Sequence, residues 1–169
     1  MKNSTNKIVI AALLAALCCI ATMVIKLPSP LNGYVNLGDC IVLLCGWVLT
    51  PLYGFLAAGI GSCLADLFSG YVVFAPATFL IKGFMAFFAY YGVKLLSLKT
   101  GKFSARLLTG IFCETFMVLG YYIFEGFLYG FLPSLVNIPA NAMQGLVGII
   151  LALLLIKIVE KNKLISFLE

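Results

Sequence analysis

Six apolar stretches, separated by short polar or helix-breaking segments, organise the chain. The first runs from Ile8 to Ile25 without a charge and follows Lys2 and Lys7. A cleavable signal peptide with a Cys19-Ile20-Ala21 cleavage site is one reading of it. The apolar core is longer than the roughly 7–15 residues of a signal, and more spans follow, so a retained helix is expected. Leu27-Pro28-Ser29-Pro30-Leu31-Asn32-Gly33-Tyr34 then breaks the helix. The pattern predicts helices over about residues 8–26, 37–49, 52–68, 77–96, 107–128 and 140–159. The second is short for a span, because crossing a bilayer takes about 20 apolar residues. The third places Gly54, Ala58 and Ser62 on one face and Ala57, Gly61 and Ala65 on another. Small residues four apart let membrane helices approach closely, so this helix should be crowded. Ser97 to Ser104 reads as a polar loop, and Gly130 to Pro139 as another with two prolines.

Composition supports the same reading. Hydrophobic residues make up 63% of the 169 positions and charged residues 10%. Soluble domains hold about 45–50% and ~25%. The expected fold is therefore an all-α membrane protein of six transmembrane helices forming one domain over residues 1–169. No room remains for an ATP-hydrolysing domain. Nine basic residues fall on one side of six spans: Lys2, Lys7, Lys94, Lys99, Lys102, Arg106, Lys157, Lys161 and Lys163. The other side has Lys26. This bias places both termini in the cytoplasm, and the excess of positive charge is topology rather than nucleic-acid binding. Histidine is absent, which removes His-based metal sites, bases and proton relays. The cysteines (Cys18, Cys19, Cys40, Cys45, Cys63, Cys113) lie in apolar runs without CxxC spacing and read as packing residues. Neither a metal site nor a bound cofactor is expected.

Five charges remain inside the membrane: Asp39, Asp66, Lys82, Glu114 and Glu125. Each costs about 2.5–3.5 kcal/mol at a helix centre on insertion scales, so each should pair or line a cavity. Asp39 or Asp66 paired with Lys82 would be a fold-holding ion pair. Glu125, near the interface, is read as solvated or as part of a site. Glu114, Val118, Tyr121 and Glu125 share one face of the fifth helix, and Asn137, Asn141, Gln144 and Gly148 line the sixth. Thr78 and Lys82 share a face of the fourth. These stripes converge in the outer half, below Tyr34, Tyr71 and Phe74.

Three segments carry a family resemblance: Gly33-Tyr34-Val35-Asn36-Leu37-Gly38-Asp39, Ala65-Asp66-Leu67-Phe68-Ser69-Gly70-Tyr71 and Ala75-Pro76-Ala77-Thr78-Phe79-Leu80-Ile81-Lys82-Gly83. The sequence resembles the substrate-binding S components of energy-coupling factor (ECF) vitamin transporters, in the riboflavin, hydroxymethylpyrimidine and vitamin B6 group. The resemblance implies a multi-pass protein of the bacterial cytoplasmic membrane that is not an enzyme. It would bind a small heteroaromatic vitamin at its outer side, of pyridine or pyrimidine type, and deliver it by toppling. Riboflavin is the alternative substrate. A scaffold membrane subunit and two cytoplasmic ATPase subunits are the implied partners. Expected substrate contacts are Tyr34, Asn36, Thr78, Lys82, Glu114, Tyr121, Asn141 and Gln144. An Ala-x-x-x-Ala face on the first helix, Ala11 and Ala15 with Ala12 and Ala16 beside them, would dock on the scaffold. A self-sufficient proton-coupled transporter, with Glu114 and Asp66 as carriers, is the competing mechanism.

Overall fold

The computed structural model describes residues 2–28 and 34–162. The central part of the expected outer loop (residues 29–33), Lys163 and the rest of the tail lie outside the described residues. Helix α1 (Lys2–Val24) leads into a two-stranded antiparallel hairpin, β1 (Lys26–Pro28) and β2 (Tyr34–Asn36), with Leu27 opposite Val35. The main helices follow: α2 (Gly38–Val48), α3 (Pro51–Phe68), α4 (Ala75–Thr100) and α5 (Lys102–Tyr129). A four-residue helix α6 (Phe131–Ser134) and a 3-10 turn over Leu135–Asn137 precede the last helix, α7 (Ile138–Lys161).

Among the described residues, five helical stretches are long and apolar enough to cross a membrane, rather than the six expected. Helix α2 is the exception, with 11 residues. At 1.5 Å per residue it covers about 16 Å, roughly half the hydrocarbon thickness. It is buried from Gly38 through Gly46 and packs against α1, α3, α4 and α7. A helix apolar all round belongs in an interior, and α2 is the central strut of the bundle.

Three further boundaries differ from the sequence reading. The expected loop over Ser97–Ser104 is helix apart from Gly101, which has φ +80° and ψ 160° and separates α4 from α5 by one residue. That conformation suits glycine because a Cβ would be strained there. The proline-rich 27–36 segment contains the paired strands, and the Gly130–Pro139 segment contains α6 and the 3-10 turn. The strands, α6 and the 3-10 turn were hidden because short elements are set by tertiary contacts rather than by periodicity.

The small faces of α3 are buried as anticipated: Gly54, Ala57, Ala58, Gly61, Ser62 and Ala65 all face neighbours. A Cβ on Gly61 would run into the backbone carbonyl of Ala15 and lie 2.9 Å from Cys18 Cβ. The Ala11–Ala15–Cys18 face of α1 is therefore turned into the bundle against α3. Ala12 and Ala16 are exposed instead. Ala11 and Ala15, the expected docking pair, thus lie on the α1 face that packs against α3, with Ala11 buried and Ala15 half-buried.

Leu43, Val42, Met85, Met117 and Ile156 fill the core together with Cys18, Cys45 and Cys113. All six cysteines are free thiols. At the end of the bundle opposite the hairpin, Arg106 forks onto Glu160 at 2.7 and 3.2 Å and lies over the Trp47 ring.

Candidate functional site

The pocket forms where five helix ends meet the hairpin. Thr22 comes from the C-terminal end of α1, and Ser62 and Asp66 from that of α3. Thr78 and Lys82 come from the first turns of α4, and Tyr121 and Glu125 from the last turns of α5. Asn141 and Gln144 come from the start of α7, while Tyr34 and Asn36 of β2, with Tyr71 and Phe74 of the α3–α4 connection, cover it. The basic residues Lys94, Lys99, Lys102, Arg106, Lys157 and Lys161 all lie at the opposite helix ends.

Two anchors hold the cover. The Tyr34 hydroxyl donates to Asp66 Oδ1 at 2.5 Å, and the Tyr34 and Tyr71 rings lie 4.6 Å apart. Burial and the Asp66 carboxylate push the Tyr34 phenol well above its ordinary range, so it remains a donor. Lys26 Nζ adds a 2.8 Å bond to Ser69 Oγ. The second anchor is Gln144: its Oε1 accepts the backbone N–H of Asn36 at 2.8 Å. Asn36 Oδ1 in turn accepts the Gly38 N–H at 2.8 Å, an Asx-type turn that starts α2. Glycine is required at 38 by close approach, since a Cβ would collide with Thr22 Oγ1.

Below the cover lies a chain of charge-assisted bonds. Gln144 Nε2 donates to Asp39 Oδ2 at 2.6 Å, and Lys82 donates to Asp39 Oδ1. Of the two carboxylates considered for Lys82, Asp39 is its ion-pair partner. Asp66 is instead engaged by Tyr34. Asp39 sits in the first turn of α2, where the helix dipole favours negative charge. Lys82 Nζ also lies 5.4 Å from the Tyr121 ring centre, and Tyr121 shares a 3.0 Å hydrogen bond with Thr78. Glu125 is buried rather than solvated and accepts from Asn137 Nδ2 at 3.0 Å.

Seven of the eight expected contact residues line this pocket: Tyr34, Asn36, Thr78, Lys82, Tyr121, Asn141 and Gln144. Glu114, the eighth, is not among the lining residues. It packs against Gly145 and Gly148 of α7, outside the pocket lining. Thr22 and Ser62 were missed by the sequence reading. Thr22 is a lone hydroxyl in an apolar helix, and Ser62 was legible only as a small packing residue. Several lining groups have no protein partner. Asp66 Oδ2 and Thr22 Oγ1 are buried without a hydrogen bond. Asn141 makes none to another described residue, though it faces the pocket. Among the described residues, no cluster of three or more His, Cys, Asp or Glu could hold a metal ion.

With this geometry in view, the comparisons with known proteins are decisive at the level of family. The family model described as ECF-type riboflavin transporter, S component, matches residues 2–161. The chain belongs to the ECF S-component family. S components are transport-binding subunits rather than enzymes. A protein of Pyrococcus woesei, described as "Uncharacterized protein in gap 3'region", is 33% identical over 133 residues, covering 78% of this S component and 86% of that protein. A solved structure, "Structure and mechanism of the S component of a bacterial ECF transporter", superposes with a TM-score of 0.76 at 23% identity. The match covers 94% of this chain and 98% of the other, and shows a shared fold. This S component is thus a multi-pass membrane protein of a transport system.

Proposed function

We propose that this chain captures a small, donor-rich heteroaromatic vitamin in the covered pocket and passes it inward as the substrate-specific subunit of an ECF-type importer. The observation that carries this reading is the set of uncommitted acceptors beneath Tyr34 and Tyr71. Buried polar atoms are almost always hydrogen-bonded, so Asp66 Oδ2 and Thr22 Oγ1 are where a ligand's N–H and O–H groups belong, with the half-buried Asn141 amide beside them. The charge balance narrows the class. Asp66 and Glu125 line the pocket, and its one ammonium, Lys82, is already paired with Asp39. Anionic substituents such as phosphate therefore lack a free cation, and the unphosphorylated vitamin is the expected ligand. A pyridine or pyrimidine ring with amine or hydroxymethyl groups suits these acceptors. Riboflavin is the second reading, favoured by the description of the matching family.

The remaining mechanism follows the family. The basic helix ends face the cytoplasm under the positive-inside bias, in the bacterial cytoplasmic membrane, which puts the pocket outside. A scaffold subunit and two ATPase subunits supply energy, and the bundle topples to deliver its ligand. Docking through α1 uses the exposed Ala12 and Ala16 side. Release requires lower affinity in the toppled state, because only differential binding links a conformational change to a ligand.

The test is mass spectrometry of small molecules retained by the purified protein, followed by calorimetry with pyridoxine, hydroxymethylpyrimidine and riboflavin. Tight binding of an unphosphorylated heteroaromatic, weakened in Asp66→Asn, is the expected result. Preference for a phosphorylated form, or binding that ignores Asp66→Asn, overturns the site. Uptake by liposomes containing this chain alone would favour the proton-coupled transporter instead.

A further inference from the structure

Glu114 is 5% exposed, and neither of its carboxylate oxygens has a hydrogen-bond partner in the protein. It lies where α5 meets α7 across two glycines. A Cβ on Gly145 would stand 3.1 Å from Glu114 Oε2, and one on Gly148 would stand 3.3 Å from Oε1 and 2.9 Å from Asp39 Cβ. The glycines thus open a slot that holds the Glu114 and Asp39 side chains next to each other. The charged and polar groups around Glu114 are Asp39 of α2, Lys82 of α4 and Gln144 of α7. Lys82 is committed to Asp39 Oδ1 and Gln144 Nε2 to Asp39 Oδ2. The cluster therefore holds two carboxyl groups and one ammonium, with Asp39, Lys82 and Glu114 all buried.

An ionised carboxylate with no donor in such an interior carries a large desolvation cost. A metal cation would need several oxygen ligands, and among the described residues no group of three or more His, Cys, Asp or Glu could hold one. One proton restores neutrality without further ligands. We propose that Glu114 is a proton-binding site inside the bundle, whose proton keeps Lys82 on Asp39 and so keeps the β hairpin anchored through Gln144. Once ionised, Glu114 competes with Asp39 for Lys82. Asp39 then loses its partner, and the Asp39–Gln144–Asn36 chain that fastens β2 loosens. The proton stays with the protein and is not transported.

The ligand-free protein in lipid nanodiscs tests this, so the outcome does not depend on the vitamin assignment. Infrared spectroscopy near neutral pH should show a protonated carboxylic-acid carbonyl band that shifts in deuterium oxide, is lost in Glu114→Gln and persists in Glu125→Gln. Raising the pH should remove the band in the wild type and speed tryptic cleavage at Lys26 by about tenfold or more, whereas Glu114→Gln should show no such acceleration. The wild-type titration stands even if the variant folds poorly. Absence of the band, its survival in Glu114→Gln, or cleavage that responds to pH equally in both proteins overturns the proposal. So does a melting temperature that rises in sodium over choline chloride for the wild type alone, which would make Glu114 a sodium ligand.

Discussion

Gln144 Nε2 lies 2.6 Å from Asp39 Oδ2, joining the first turns of α7 to the buried start of α2 across 105 residues of sequence. The same side chain holds the Asn36 backbone N–H at 2.8 Å. One amide therefore fastens the strand over the pocket to the ion pair below it.

Removing that amide should separate the cover from the floor. Gln144→Ala leaves Asn36 N–H and Asp39 Oδ2 unsatisfied, at a cost of about 1–3 kcal/mol for each buried group. The expected result is a lower melting temperature and faster proteolysis at Lys26, with faster ligand dissociation than association. Unchanged dissociation would show that the cover is held elsewhere.

Lys82 and Asp39 should behave as a unit. Lys82→Met alone strands a buried carboxylate and should cost roughly 3–5 kcal/mol, whereas adding Asp39→Leu should recover most of it. Thermal unfolding of the two single variants and the double variant measures the coupling. Additive losses would contradict a direct buried pair.

Asp66 is expected to govern affinity more than stability. Asp66→Asn keeps an acceptor for Tyr34 but removes the charge from the unpartnered oxygen. A hydrogen bond to a charged group contributes about 1.5–3 kcal/mol, so binding of the retained vitamin should weaken by roughly ten- to a hundredfold. Calorimetry reads this directly, and a loss below about twofold would place the ligand away from Asp66.

The two alanine faces of α1 make opposite predictions. Ala11→Leu with Ala15→Leu should destabilise the chain itself, because overpacking a close helix crossing costs about 1–3 kcal/mol or more. Ala12→Leu with Ala16→Leu should leave folding and vitamin binding intact while reducing co-purification of the scaffold subunit. Normal co-purification of the second pair would remove α1 from the docking surface.

Much of this was readable from the chain because membranes impose strong rules. The apolar runs located the long helices, and the cost of buried charge directed attention to Asp39, Asp66, Lys82 and Glu125, which do face the interior. What could not be read was which partner each charge takes. Asp39 and Asp66 both lie on pocket-facing helix ends, and only the packing of α2 beneath Gln144 selects Asp39 for Lys82. The Ala11 and Ala12 faces are alike in composition, so nothing in the sequence showed that Gly61 claims the former. Glu114 shares a helical stripe with Tyr121, yet Gly145 and Gly148 draw it towards α7. The Asx turn at Asn36 depends on the hairpin and left no periodic trace.

Gly101 is the sole residue between α4 and α5, and Leu49 and Thr50 alone link α2 to α3. The longer connections, by contrast, gather around the pocket. Glu160 and Arg106 add a clasp at the tight end. Slack is therefore distributed unevenly along the bundle axis. One end of the bundle is thus tied by one- and two-residue links and an ion pair, and most of the chain length spent between helices is spent around the pocket.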